Sequence, residues 1–344
     1  MKHIKGFDGL RGVSIILVLL THLGLFWKLP RTPFFQERVW ELIHGMVGVK
    51  MFFTLSGFLI TRMLLHEYNK FGNIRFGRFY LRRFLRILPP FIFFLLAVFV
   101  LMRQGVIWES YNGLLYACFY AYNFVPNVYY TGELGHTWTL AVEEQFYLFW
   151  PWILIYTKGK LRVIITILII LLCSIAFFLY PVFEIGDYSR PFRWFVPASV
   201  SVFIGSLFAI LLNNHDFVMA SNSRNKLILI LSIILFLSPL YTPWLALVDP
   251  VQSFACAFFI LWIYNNQDSF LTKTLEFFPI RYLGQISYGV YIFQGIFLTT
   301  GPAARNWFQT YPQNILLTFT VAILSFELIE RPILKYKRKT SREV

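Results

Sequence analysis

The sequence predicts an all-α, polytopic integral membrane protein with about ten transmembrane helices. Apolar residues make up 57% of its 344 residues and charged residues 14%, whereas an average soluble protein is about 25% charged. Apolar stretches of about 20 residues, the length that crosses a bilayer, recur along the whole chain. Because no linker, repeat or low-complexity tract separates them, we expect one membrane domain over residues 1–344 and no soluble C-terminal domain.

Ten apolar segments account for the predicted spans. They cover residues 12–29, 45–65, 86–103, 138–157, 161–180, 194–213, 227–245, 250–266, 282–300 and 314–334. The stretch 112–128 is different, because it is rich in Tyr and Asn and only about 16 residues long. We expect it to be a re-entrant or interfacial segment on the outer side of the membrane.

The net charge is +14, and the distribution of the basic residues along the chain indicates a membrane topology. Basic residues concentrate on alternate connections: before the first span, after the second, at residues 158–162 and from residue 331 onward. By the positive-inside rule, this pattern places both termini in the cytoplasm and predicts a multi-pass protein of the cytoplasmic (inner) membrane. The charge therefore indicates contact with membrane lipids and no nucleic-acid partner. No metal is expected, because the cysteines lack ligand spacing.

The first span carries Arg11 and His22, eleven residues apart. Eleven steps of about 100° make three helical turns plus about 20°, so both side chains share one helix face. A titratable imidazole near the midplane of a bilayer is costly, and this makes His22 a candidate catalytic residue with Arg11 beside it. The alternative is a histidine packed at a helix interface, hydrogen-bonded to its neighbours.

A second polar cluster opens the fourth span, where His136 and Glu143 lie seven residues apart. On a helix they share a face, and a carboxylate this deep needs a partner. A His–Glu pair would orient the imidazole or hold a polar substrate. A structural ion pair that braces two helices is the alternative.

Two further groups are candidates for binding. Arg82, Arg83 and Arg86 form a dense positive cluster at the start of the third span, suited to phosphate or, alternatively, to anionic lipid. On the ninth span a stripe of side chains would face either a cavity or a helix interface; its members are Tyr288, Tyr291 and Gln294.

Six motifs follow one another along the chain. They are Phe7-Asp-Gly-Leu-Arg-Gly12 with His22, Phe52-Phe-x-Leu-Ser-Gly-Phe58, Arg78-Phe-Tyr-x-Arg-Arg-x-x-Arg86-Ile-x-Pro89, His136-Thr-Trp-Thr-Leu-x-Val-Glu143-x-Gln-Phe-Tyr147, Ile286-Ser-Tyr-x-x-Tyr291 and Ile329-Glu-Arg-Pro332. In this order, from residue 7 to residue 332, they resemble the acyltransferase 3 family of membrane-bound enzymes that acetylate cell-surface glycans.

The resemblance implies transfer of an acyl group, most often acetyl, from cytoplasmic acyl-coenzyme A to a hydroxyl of a lipid-linked or exported glycan. His22 matches the family's first-span histidine and Arg11 its partner arginine. The cytoplasmic Arg-x-x-Arg of the family falls on Arg83 and Arg86, which with Arg82 and Arg11 would hold the phosphates of acetyl-CoA. The family's second polar cluster falls on His136, Trp138 and Glu143, with Trp138 and the ninth-span stripe as candidate substrate contacts.

One departure from the family concerns Gln294, where members often have histidine. Glutamine can hydrogen-bond a sugar or thioester oxygen, but it cannot take a proton. Without a soluble domain, transfer would finish in the membrane domain or on a separate partner protein, and a homo-oligomer stays open. The alternatives are a succinyltransferase of the same family and a transporter or flippase of lipid-linked sugars.

Overall fold

A computed structural model describes residues 3–24, 32, 38–179, 191–241, 245–299 and 306–333. Within these ranges the chain forms helices and no strand, as the composition predicts. In chain order the α-helices are α1 Phe7–His22, α2 Trp40–Ile43, α3 Gly45–Phe71, α4 Phe76–Arg103, α5 Tyr111–Cys118, α6 Gly132–Gly135, α7 Thr137–Tyr156, α8 Gly159–Leu179, α9 Phe195–Ala198, α10 Val200–Leu211, α11 His215–Ser223, α12 Asn225–Leu237, α13 Leu245–Asn265, α14 Phe270–Leu275, α15 Phe278–Phe297 and α16 Gln313–Ser325.

Each predicted span corresponds to a helix or a pair of helices. The span predicted at 194–213 is divided into α9 and α10, and α16 continues into a π-helical turn, Phe326–Glu330. The predicted end of the first span, beyond residue 24, lies outside the described residues. The stretch 112–128 forms α5 and short 3₁₀ turns, so it contains no helix long enough to cross a bilayer.

Among the described helices, α3, α4 and α8 are both long and apolar enough to cross a membrane. Their lengths are 27, 28 and 21 residues. In α4 and α8 only 22% of the most apolar window is buried within the protein, against 67% in α3. The outer faces of α4 and α8 are therefore rich in exposed apolar side chains, as expected of a multi-pass membrane protein.

The helices group into two compact units. The first contains the described residues of Met1–Thr21, Leu25–Ile74 and Val142–Gln285. Its centre is the contact of α3 with α10, where the two backbones approach closely. A Cβ added to Gly57 would overlap the carbonyl of Val202, and Ser206 Oγ donates to the Gly57 carbonyl at 3.3 Å. Small residues at such a crossing allow close helix packing.

A buried ionic network joins α2, α3 and α13 within this first unit. Lys50, which is 3% exposed, forms an ion pair with Asp249 and donates to Gln252 Oε1 at 2.6 Å. The Gln252 amide in turn donates to the Glu41 carbonyl at 2.7 Å. Burial alone would raise the pKa of the Glu41 carboxyl, but a hydrogen bond from His44 and the charges of His44 and Lys50 hold this pKa below its usual value.

The second unit contains the described residues of His22–Gly24, Arg75–Ala141 and Ile286–Val344. It is built on α4 and on the part of α15 from Ile286 onward, with α16 packed against α15 where Gly289 contacts Ala322. The Tyr288 hydroxyl donates to the Ile87 carbonyl at 2.6 Å and so ties α15 to α4. This unit contains most of the residues that the sequence singled out.

Candidate active site

His136 lies at the centre of the second unit, where α6 passes into α7. Its ring is 7% exposed and is enclosed by aromatic side chains. The ring centroid lies 5.4 Å from that of Phe94 on α4 and 5.5 Å from that of Tyr291 on α15, both in edge-to-face geometry. On a third side the ring lies directly against Gly295, where an added Cβ would overlap the imidazole. The backbone of α15 therefore needs glycine at this position.

Two buried side chains of this site have polar atoms without hydrogen-bond partners in the part of the chain that the structure describes. Both ring nitrogens of His136, and both side-chain polar atoms of Gln294, make no hydrogen bond of ordinary geometry with any described residue. The backbone of Ile292 approaches the His136 ring without completing such a bond. Gln294 is 1% exposed and precedes Gly295, the residue against which the ring packs. Leaving a buried polar group unpaired costs about 1–3 kcal/mol, so these atoms are suited to hold a polar ligand.

The neighbouring tyrosines differ from Gln294, because their hydroxyls are engaged by the protein. The Tyr291 hydroxyl pairs with Thr139 Oγ1 at 2.7 Å and donates to the His136 carbonyl at 3.3 Å. Tyr288 donates to Ile87 on α4. Tyr291 thus ties α15 to the start of α7, and Tyr288 ties α15 to α4. The role of the stripe towards substrate stays a prediction.

The structure brings the two predicted histidines together. His22 is the last residue of α1 and belongs to the second unit, where it interacts electrostatically with His136. Its side chain is exposed, whereas that of His136 is buried. The second unit thus contains one exposed imidazole, His22, and one enclosed imidazole, His136.

Glu143 and Trp138 lie on α7, close in sequence to His136. Glu143 is half-buried, and Trp138, five residues before it, is 6% exposed. The role of Glu143 towards His136 stays a prediction. The ring of His136 itself sits at the junction before α7, where the contacts with α4 and α15 direct it.

Arg11 lies half-buried on α1 and is already engaged by an acidic residue. Its guanidinium forms an ion pair with Asp8 at 3.2 Å, one turn earlier on the same helix. Asp8 also lies 3.4 Å from the ring nitrogen of His3. The role of Arg11 towards phosphate therefore stays a prediction.

The arginine cluster occupies the first turns of α4, with all three side chains half-buried. Arg86 interacts electrostatically with Glu330, a carboxylate that is 6% exposed in the π-helical turn. Sequence reasoning missed this partner, although Glu330 belongs to the last of the six motifs. The cluster therefore has a buried acid in its electrostatic environment.

The cluster and the His136 site are separated along α4. Phe94, which contacts His136, follows Arg86 by eight residues and Arg83 by eleven. At 1.5 Å per residue these separations are about 12 Å and about 16 Å along the helix. Among the described residues no group of His, Cys, Asp and Glu side chains could hold a metal ion. The site is therefore a buried polar centre with a positive cluster about two to three helical turns away.

Comparison with known proteins places these features in a wider context. A family model described as an acyltransferase domain, acyltransferase 3, matches residues 4–329. The chain is 27% identical to O-acetyltransferase OatA of Staphylococcus aureus, over 97% of this chain and 58% of that protein. It is 28% identical to peptidoglycan O-acetyltransferase OatA of Listeria monocytogenes, over 97% of this chain and 56% of that protein. The chain thus spans little more than half the length of these relatives. No solved structure matches it.

Proposed function

The chain belongs to the acyltransferase 3 family, and from this premise we propose that it is a membrane O-acetyltransferase. The donor is acetyl-CoA from the cytoplasm, and the acceptor is a hydroxyl of an exported or lipid-linked glycan. Peptidoglycan is the first acceptor to test, because it appears in the name of the relative from Listeria monocytogenes.

The observation that carries this proposal is the order of groups along α4. A cluster of arginines, suited to bidentate phosphate binding, precedes Phe94 by about 12–16 Å of helix. Phe94 contacts His136, whose ring nitrogens have no hydrogen-bond partner among the described residues. The pantetheine arm of coenzyme A reaches about 15–20 Å by chain-length arithmetic. Phosphates held by Arg83 and Arg86 would therefore allow the thioester to reach His136.

In the proposed reaction, His22 is the general base. It takes the proton of the acceptor hydroxyl while the hydroxyl oxygen forms a bond to the thioester carbonyl carbon. The Gln294 amide and a ring N–H of His136 donate to the carbonyl oxygen as its negative charge develops. The carbon–sulfur bond then breaks, and the thiolate of coenzyme A receives the proton from His22. In this scheme Gln294 acts as a donor and moves no proton.

The membrane arrangement belongs to the same proposal. Ten spans with both termini in the cytoplasm place the arginine cluster at the inner face and the 112–128 segment outside, in a bacterial inner membrane. With the native cysteines removed, single cysteines at Asn127 and Gly159 should react with an impermeant reagent from opposite sides. Reaction of both from the same side would overturn this arrangement.

A direct experiment measures acceptor-dependent release of coenzyme A by purified protein. Wild type should release it from acetyl-CoA only when a glycan acceptor is present, and more slowly from succinyl-CoA. His22→Ala should lose about 10²–10⁴-fold of this rate, the usual contribution of a general base, while its helical circular dichroism is retained. A wild type that moves glycan without consuming thioester would instead be a transporter, and an active His22→Ala variant would make His22 structural.

A further inference from the structure

The second unit contains a cavity of about 330 Å³ that the proposed reaction has not used. This volume is at the small end of the range for ligand sites, about 300–1,000 Å³. Polar and aromatic side chains from three segments of the chain line it; those that matter here are Trp108, Thr131, Glu133, Thr299, Asn306 and Gln309.

Thr131 supplies a buried hydroxyl that has no partner. The hydroxyl of Tyr122 accepts from the Thr131 backbone N–H at 2.8 Å and donates to its carbonyl at 3.1 Å, so the backbone is held at both ends. The Thr131 side chain is 5% exposed and lines the cavity, yet its Oγ1 makes no hydrogen bond with any residue of the described ranges. A buried hydroxyl of this kind is a group that a ligand would satisfy.

Two side-chain amides that line the cavity, those of Asn306 and Gln309, are held in place by hydrogen bonds. Asn306 Nδ2 donates to the Val106 carbonyl at 3.0 Å and to Gln309 Oε1 at 3.3 Å. Gln309 Nε2 donates to the Ile296 carbonyl on α15 at 3.0 Å. With Glu133, which is 8% exposed, the cavity thus combines a carboxylate, amides and a hydroxyl whose positions are set by the fold.

Trp108 adds an aromatic face at the edge of the cavity. Its side chain is 65% exposed although its neighbour Ile107 is buried. A large flat apolar surface beside a few fixed polar groups suits a ligand with both apolar C–H faces and many hydroxyls. A pyranose ring has this chemistry. The carboxylate of Glu133 can accept hydrogen bonds from neighbouring hydroxyls but repels an anionic sugar.

The cavity lies next to His136. Glu133 precedes His136 by three residues, and its carbonyl and the His136 ring both pack against Gly295. Thr299 follows Gly295 by one helical turn and lines the cavity, about 6 Å further along the chain direction. A sugar bound here would therefore have a hydroxyl within reach of the buried imidazole.

We propose that this cavity is the acceptor subsite, binding one neutral sugar ring of the glycan beside the hydroxyl that is acylated. The inference rests on the proposed function for the identity of the ligand, but binding can be measured without any acyl transfer. It assigns sugar recognition to Trp108, Thr131 and Glu133, none of which belongs to the six motifs of the sequence.

The first experiment measures binding of tri-N-acetylchitotriose and of a peptidoglycan disaccharide to the purified full chain in nanodiscs, by calorimetry without acetyl-CoA. Trp108→Ala and Glu133→Gln should each weaken binding about tenfold, and Thr131→Val about threefold. Glu109→Gln, an exposed carboxylate on the same loop, and Trp307→Ala, an exposed tryptophan that does not line the cavity, are the matched controls and should stay within about twofold. Wild type should bind an anionic tri-galacturonate more weakly than it binds tri-N-acetylchitotriose. In Glu133→Gln the difference between these two affinities should become smaller.

The second experiment measures acetyl transfer with the same variants. The KM for the glycan should rise in the cavity variants, while the KM for acetyl-CoA stays unchanged. Transfer with an unaltered glycan KM in all three variants would overturn the cavity assignment and leave the proposed function standing. Binding that depends on Trp108 in a protein without transfer would support the cavity and overturn the function. If wild type neither binds the sugars nor transfers acetyl groups, both the cavity assignment and the proposed function are wrong.

Discussion

The two units of the protein differ in whether their buried polar side chains are hydrogen-bonded. In the first unit, Lys50, Asp249 and Gln252 satisfy one another and the Glu41 carbonyl. In the second, His136 and Gln294 are equally buried and their side-chain polar atoms have no such partners among the described residues. A satisfied network stabilises one arrangement of helices, whereas an unsatisfied one keeps donors and acceptors available for a substrate.

This difference allows residues that stabilise the fold to be told apart from residues that take part in the reaction. Removing one member of a satisfied buried pair leaves an uncompensated charge, so stability falls. Removing an unpartnered polar side chain leaves nothing uncompensated, so stability holds while any reaction that needs the group is lost. Comparing stability with activity in each unit therefore tests which role each cluster has.

The largest expected effect is on activity, at His136. His136→Leu should lower the acetyl transfer rate about 10²–10³-fold, because in the proposed reaction its ring N–H donates to the developing oxyanion. The thermal midpoint in detergent should stay the same or rise, since a buried unpartnered imidazole is replaced by an apolar side chain of similar size. A variant that unfolds at a much lower temperature would place His136 with the structural network.

The second effect is on stability, at Lys50. Lys50→Met should lower the free energy of unfolding by about 1–3 kcal/mol, because the half-buried Asp249 and the buried Gln252 Oε1 lose their charged partner. The double variant Lys50→Met/Asp249→Leu is the control and should recover most of the loss, measured by chemical unfolding. Activity per folded molecule should be unchanged in both. A stable but inactive Lys50→Met would indicate that this network takes part in the reaction.

The third effect tests the contact that holds His136. Gly295→Ala should push the ring away from α15 and reduce the transfer rate about 10²-fold, as displacements of about 1 Å at a reacting group can do. Gly77→Ala on α4 is the matched control, because an added Cβ there meets nothing within 4 Å. If both alanine variants have the wild-type rate, the position of the ring does not limit the reaction.

The smallest effect concerns the arginine cluster. Arg83→Lys and Arg86→Lys keep the charge but remove the planar fork, so affinity for coenzyme A should fall about tenfold without loss of insertion. Arg103→Lys, at the other end of α4, serves as the control. Equal affinity in the Lys variants, or competition by anionic lipid alone, would assign the cluster to the membrane surface.

Much of the fold follows from local sequence. The positions of the helices, the short elements at 112–128 and the motifs of the family can be predicted, because apolar periodicity and length act within a segment. Lys50 lies inside the predicted span 45–65, and a charge within a membrane span indicates a buried partner.

The chain's composition and motif order by themselves determined that it is a helical membrane protein of the acyltransferase 3 family. They also singled out His22 and His136 as candidate site residues. Only the tertiary structure decided that His22 and His136 interact, that Glu330 interacts with Arg86, and that the buried Gln294 amide has no hydrogen-bond partner among the described residues. The physical reason is that helix formation depends on neighbours in the chain, whereas the pairing of buried polar atoms depends on which helix faces meet.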